Sequence, residues 1–221
     1  MATRKTVFAV GETYHVFNRG VDKRDIFMDR FDSERFLRSM IAFNIKEPVK
    51  SLFLAELLEA NSAVKPPSGD VPNEPLVEIV AYCLNPNHFH LILRQVSDGG
   101  ISEFMKRLSG GYTWYFNNKY DRTGSLFQGT FRSVHVDVNE YLLHLSVYVN
   151  MNSKVHGLSG LTAEVTRSSW DEYQGKSRKE ICSKDIVLGQ FSSSEDYIDF
   201  AKRTFPALRE KKLLVEAYRM E

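Results

Sequence analysis

Two histidines one residue apart, His88 and His90, lie inside the run Asn87-His88-Phe89-His90-Leu91-Ile92-Leu93. In a strand, residues i and i+2 point to one face. His88 and His90 then present two imidazoles side by side, while Phe89 turns away. Paired neutral imidazoles on one rigid element can supply two ligands to a divalent metal. The pair alone equally suits a half-exposed strand with no metal. A second polar set follows in residues 141–152, where His144, Tyr148 and Asn152 recur every four residues. That spacing places them on one helix face, with Leu142, Leu143, Leu145, Val147 and Val149 on the others. If buried, such a stripe needs polar partners or water, and a metal site supplies both. If exposed, it is a solvated stripe beside a tyrosine packed on the core. Both readings stand on these residues alone.

The elements that must position these groups are legible in outline. Thr13-Tyr14-His15-Val16-Phe17-Asn18 alternates, is rich in β-formers and ends at Arg19-Gly20, so it reads as a strand. Asp32 or Ser33 caps a helix through Phe36, Leu37, Met40 and Ile41. Leu52, Leu54, Leu57 and Leu58 suggest a further short helix, and residues 61–75, with four of the seven prolines, form a mobile loop. Residues 76–84 and 88–94 are two strands joined by Asn85-Pro86-Asn87, a β-hairpin. Residues 101–116 are helical by spacing, although Gly110-Gly111 weakens them by roughly 1 kcal/mol per glycine. Residues 130–136 form a strand. Asp137-Val138-Asn139-Glu140 has the form of a capping box that opens a helix over residues 141–152. From Trp170 onward the pattern is polar and mostly helical. Ser193 to Asp196 is a second cap, and Pro206 should break or restart that helix. Strands separated by helices around a central hairpin make an α+β fold, an antiparallel sheet covered by helices.

Composition narrows the function classes. With 221 residues, 43% hydrophobic and 26% charged, the chain is neither disordered nor fibrous and can bury a core without staples. Two cysteines, Cys83 and Cys182, are too few for a disulfide framework and fit a reducing cytoplasm. No apolar run approaches the roughly 18 residues of a membrane span. Residues 1–5 lead into polar-interrupted sequence, so neither a membrane nor a secretory signal is expected. The net charge of +1 argues against a large electrostatic footprint, but the charge is unevenly spread. Residues 99–135 hold five basic and two acidic residues (net +3), and residues 136–200 hold six basic and ten acidic (net −4). A local basic surface or an ordinary solvated one both fit that distribution.

Four stretches in order make the chain recognisable: Tyr14-His-Val-Phe-Asn-Arg-Gly20, Asn85-Pro-Asn-His-Phe-His-Leu-Ile-Leu93, Gly124-Ser-Leu-Phe-Gln-Gly129, and Tyr148-Val-Asn-Met-Asn152 with Val155-His-Gly157. Through them the chain resembles the HUH single-tyrosine transposases, within them the REP-associated tyrosine transposase group, over roughly residues 10–160. The resemblance implies a ferredoxin-like antiparallel sheet covered by helices, with a helical C-terminal extension. It implies a nuclease/transposase domain over residues 1–160 and the extension over 161–221. It places the nucleophile on Tyr148 and the metal ligands on His88, His90 and Asn152, with Mg²⁺ or Mn²⁺ as the cofactor.

The activity implied is metal-dependent cleavage and rejoining of single-stranded DNA at or near hairpins through a 5′-phosphotyrosine. The alternative is a catalytically inactive hairpin-DNA-binding relative. The implied partner is single-stranded or hairpin DNA, with the protein a monomer or homodimer in a bacterial cytoplasm, associated with the nucleoid. Arg19, Lys106 and Arg132 are the expected nucleic-acid contacts. Two departures stand out. Asn152 is followed by Ser153 where the family often has proline. Thr130 stands where the family often carries arginine, with Arg132 two residues on, which moves or removes one phosphate contact.

Overall fold

The computed structural model describes residues 6–47, 74–177 and 180–217. Its centre is a five-stranded sheet of β1 (Thr13–Arg19), β2 (Val77–Asn85), β3 (His88–Gln95), β4 (Arg132–His135) and β5 (Arg167–Ser168), in the order β4-β1-β3-β2-β5. Every neighbouring pair is antiparallel. The α+β class with an antiparallel sheet is the one expected from the sequence. The short helix expected around Leu52 to Leu58, and most of the loop 61–75, lie outside the described residues.

Strand alternation sorts the sheet into two faces. Tyr14, Val16, Phe89, Leu91 and Leu93 point to the face covered by α1 (Arg30–Ala42) and α2 (Gly100–Lys119), where Phe36, Met40, Phe104, Leu108 and Tyr112 complete a core. Ala81, Cys83 and Ile92 point to the other face, under α3 (Asn139–Asn150). Behind α3 follow α4 (Asn152–Val155), α5 (Leu161–Val165), α6 (Trp170–Tyr173), α7 (Asp185–Leu188) and α8 (Ser194–Ala217). Tyr197 of α8 is buried against α3, where it bonds Ser146 Oγ at 3.0 Å and accepts from Asn150 Nδ2 at 2.9 Å. The segment beyond residue 160 therefore packs on the sheet layer and adds the edge strand β5, which helical patterning did not reveal.

Several element boundaries differ from the sequence expectation for local reasons. The cap of α1 is Asp29, with Asp32 three residues on as the reciprocal partner of a capping box. Asp32 is also fully buried, accepting from Lys119 Nζ at 2.7 Å, Tyr115 at 3.0 Å and Tyr120 at 2.8 Å, which pins the start of α1 to the end of α2. The expected box at residues 137–140 is not used. The chain leaves β4 extended, so Val138 becomes the N-cap and no side chain caps α3. α8 runs through Pro206 rather than breaking there. Proline at 206 leaves the Lys202 carbonyl without its helical donor, and both residues lie at exposed positions of the helix.

α2 runs unbroken through Gly110 and Gly111. The two glycines differ in surroundings. A Cβ at Gly110 meets open space, whereas one at Gly111 would stand 2.8 Å from the Phe43 ring. Gly110→Ala should therefore stabilise the fold by up to about 1 kcal/mol through helix propensity. Gly111→Ala should fall at least about 1 kcal/mol short of that, because Phe43 must move. Parallel urea melts of the two variants read the difference.

Candidate active site

β2 and β3 meet at the two-residue turn Pro86-Asn87, and the hairpin register sets Asn85 opposite His88 and Cys83 opposite His90. On its other side β3 pairs Arg19 with His88 and Phe17 with His90. Directly paired residues share a face, so His88 and His90 lie on the α3 face with Cys83, Asn85, Phe17 and Arg19. Phe89 lies on the opposite face, fully buried between Phe36 and Phe127.

The two imidazoles are held by different partners. His88 Nδ1 lies 2.6 Å from Asn87 Oδ1, which fixes the proton on Nδ1 and leaves Nε2 with its lone pair. Nε2 accepts from Asn85 Nδ2 at 2.9 Å. Asn87 Nδ2 in turn donates to the carbonyl of Lys23 at 3.3 Å. His90 Nδ1 shares a hydrogen bond of 2.9 Å with His15 Nε2. Burial, with His15, His88 and His156 nearby, drives the His90 pKa well below its usual range, so His90 is a neutral, lone-pair-bearing ring. His15 is likewise buried and held neutral, its pKa lowered to about 4 by desolvation. His15, Asn85 and His156, whose ring lies 5.1 Å from that of His88, belong to this cluster although site reasoning from sequence did not single them out. His15 and His156 fall inside the recognisable stretches, and His15 sits at the alternating position that faces His88 and His90.

Tyr148 projects from α3 with its ring 5.5 Å from that of His90. Burial raises its phenol pKa, the Asn152 amide counters that, and the neighbouring Cys83 and Tyr141 add to the rise. The expected stripe of His144, Tyr148 and Asn152 does not form as one helix face. α3 ends at Asn150, Met151 leaves helical geometry, and Asn152 opens the separate turn α4. Asn152 is nonetheless drawn to the site, because its Oδ1 accepts from Asn85 Nδ2. Ser153, in place of a proline, continues that turn. His144 points elsewhere, its ring 5.4 Å from that of Phe200 on α8.

His88, His90, Tyr148 and Asn152 thus converge within a single chain, with Asn85 bridging the hairpin to α4. Among the described residues, no three histidine, cysteine or carboxylate side chains form a metal cage. His88, His90 and the Asn152 amide oxygen are the side chains here that could hold a divalent ion. Two neutral imidazoles and a carboxamide suit a divalent ion of the Mn²⁺ or Mg²⁺ kind. Asn152 Nδ2 is buried with no hydrogen-bond partner at bonding distance. That N–H is a donor, and it lowers the Tyr148 phenol pKa from beyond ordinary bonding distance.

The three expected DNA contacts separate. Arg19 is exposed beside His88 and its Nε donates to Gln128 Oε1. Arg132 is exposed on β4, paired with Phe17 and so on the same face. Lys106 lies on α2, across the sheet from Tyr148, where it pairs with Glu103 at 3.5 Å and lines a cleft with Asn18, Ser109 and Thr130.

The lowered His15 pKa fixes a pH dependence of the metal-free fold. Below about pH 6.5 the unfolded chain takes up a proton on this ring that the folded chain refuses until about pH 4. Stability should therefore be lost as pH falls from about 6.5 toward 4, by up to roughly 3 kcal/mol from this ring. Urea melts of His15→Gln in EDTA over that range should show a shallower fall than the parent.

Residues 68–152 match the model of a family described as transposase IS200 like. That segment contains His88, His90, Tyr148 and Asn152. Among solved structures, a REP-associated tyrosine transposase bound to a REP hairpin aligns at 13% identity and a TM-score of 0.46, covering 82% of this chain and 90% of that one. A chain from Deinococcus radiodurans R1, described as a candidate transposase, aligns at 15% identity and a TM-score of 0.35, covering 64% of this chain and 90% of that one. No curated protein matches the chain.

Proposed function

We propose that the protein, whose residues 68–152 match a family described as transposase IS200 like, is a metal-dependent single-stranded DNA endonuclease and strand transferase with Tyr148 as its nucleophile. One observation carries this reading. Tyr148, His88, His90 and Asn152 converge within a single chain, which supports their acting together. Residues 1–160 would form the nuclease unit and residues 161–221 an extension packed on it, acting in the bacterial cytoplasm.

The proposed reaction is an in-line displacement at phosphorus. The Tyr148 hydroxyl gives up its proton, its oxygen bonds to phosphorus, and the bond from phosphorus to the 3′ oxygen breaks. The 3′ oxygen leaves with the electron pair and takes a proton. The products are a 5′-phosphotyrosine and a free 3′-hydroxyl. The covalent ester keeps the phosphodiester energy, so attack by another 3′-hydroxyl rejoins the strand without a nucleotide cofactor. His88, His90 and Asn152 would hold Mg²⁺ or Mn²⁺, which when bound polarises the scissile phosphate. Asn87 and His15 orient the two imidazoles, and Arg19 and Arg132 border the same face as phosphate contacts.

Incubation with labelled, hairpin-bearing single-stranded DNA and Mg²⁺ or Mn²⁺, followed by a denaturing gel, should give a covalent protein–DNA band and a shortened strand. One feature favours a second reading, a hairpin-binding relative without cleavage. Asn85 Nδ2 already engages His88 Nε2 and Asn152 Oδ1, the lone pairs a cation needs. Hairpin binding with no adduct in either metal would select that reading.

A further inference from the structure

α3 packs on β2 and β3, and among the described residues the β1–β4 half of the same face carries exposed side chains at Arg132 and Val134. That half has a definite composition. Phe17 of β1 pairs with His90 on one side and with Arg132 of β4 on the other, so all three share one row of the face. The next row holds His15 and Val134. Phe17 is half-buried and Arg132 exposed. Val134 is 44% exposed, Val138 54% and Tyr141 40%. Tyr141 lies seven residues before Tyr148 on α3, two turns along the same helix face, and near enough to influence its phenol.

Phe17 shares the His90 row and Tyr141 lies two turns from Tyr148 on one helix face, with exposed valines and a guanidinium on the adjoining part of the sheet face, and among the described residues Arg132 makes no ion pair. An exposed tyrosine and a half-buried phenylalanine with a cation, on a sheet face that continues to the His90–Tyr148 pair, fit one ligand class: an unpaired nucleotide. We propose that this sheet face, with Tyr141 at its border, holds the nucleotide next to the scissile phosphate, with its base stacked on Tyr141 and Phe17 and its phosphate on Arg132. The proposal rests on the transposase reading and names a subsite within it. It also gives a reason for the strand to be single at this point, since a paired base cannot present its face to Tyr141.

The test separates the two levels. The full chain carrying Tyr148→Phe is titrated in EDTA with a short thymidine oligonucleotide holding one central 2-aminopurine, whose fluorescence stacking quenches. Quenching is expected with the parent ring at 141 and with Tyr141→Phe, which keeps the stacking face. Tyr141→Ala should abolish the quench and weaken binding about 5- to 150-fold. Arg132→Gln should lower the slope of log K against log salt by about 0.7. Tyr141 is exposed near the start of α3, so these variants should keep the parent far-ultraviolet circular dichroism. Binding without quenching, or an unchanged affinity in Tyr141→Ala, overturns the subsite and leaves the transposase reading standing. Absence of any single-strand binding overturns both.

Discussion

Tyr148→Phe should eliminate the covalent protein–DNA adduct and reduce strand cleavage by at least about 10⁴-fold, while DNA affinity stays within about twofold. Losses of that order follow removal of a nucleophile whose neighbours act only through it. Phenylalanine keeps the ring that faces His90 at 5.5 Å and deletes only the oxygen. Burial raises the phenol pKa, so the unassisted group is protonated at neutral pH and contributes no charge to binding. The measurement is a denaturing gel on end-labelled hairpin DNA beside a filter-binding titration. An adduct surviving in the variant would remove Tyr148 from the reaction.

Phe89→Ala should destabilise the fold by about 3–5 kcal/mol, a fall in Tm of roughly 6–20 °C. Phe89 is fully buried, and its ring meets Phe36 at 5.2 Å and Phe127 at 5.8 Å. A loss of that size approaches the whole stability of many domains. Its neighbours on either side should behave differently. His88→Ala and His90→Ala should abolish the rise in Tm that Mn²⁺ gives the parent, since a ligand stabilises only the state that binds it. Thermal melts with and without Mn²⁺ decide between the two roles. A normal metal-induced shift in both histidine variants would refute the ligand assignment.

The opposite facing of Phe89 and the two histidines is readable from sequence because a strand has a period of two and β3 is an uninterrupted one. The parts that were not readable depend on contacts between distant elements. Spacing alone puts Asn152 on one helix face with His144 and Tyr148, and no glycine or proline announces the break at Met151. The amide reaches the site through Asn85, 67 residues earlier, which no local pattern encodes. His144 left the expected stripe because Phe200 of α8 takes it up. At α1 the cap is Asp29 rather than the expected Asp32 or Ser33, although Asp29 and Asp32 stand at capping-box spacing in the sequence. At residues 137–140 a similar pattern had no effect, because the exit from β4 keeps the chain extended through Val138. Lys106 looked like a neighbour of the site through its place among basic and aromatic residues. Which side of the sheet α2 covers depends on the three-dimensional crossover rather than on composition.

The strict parity of β3 has a consequence for how this chain can change. Even-numbered positions 88, 90 and 92 face the chemistry, and odd-numbered positions 89, 91 and 93 face the core. Replacing one residue alters one face at one point. Inserting or deleting a single residue before position 88 would exchange the two sets together, driving imidazoles among Phe36, Phe104 and Tyr112 and turning Phe89, Leu91 and Leu93 toward Tyr148. Length variation among descendants of this sequence should therefore collect in the surface connections and leave the frame of this hairpin untouched, however far its individual letters drift.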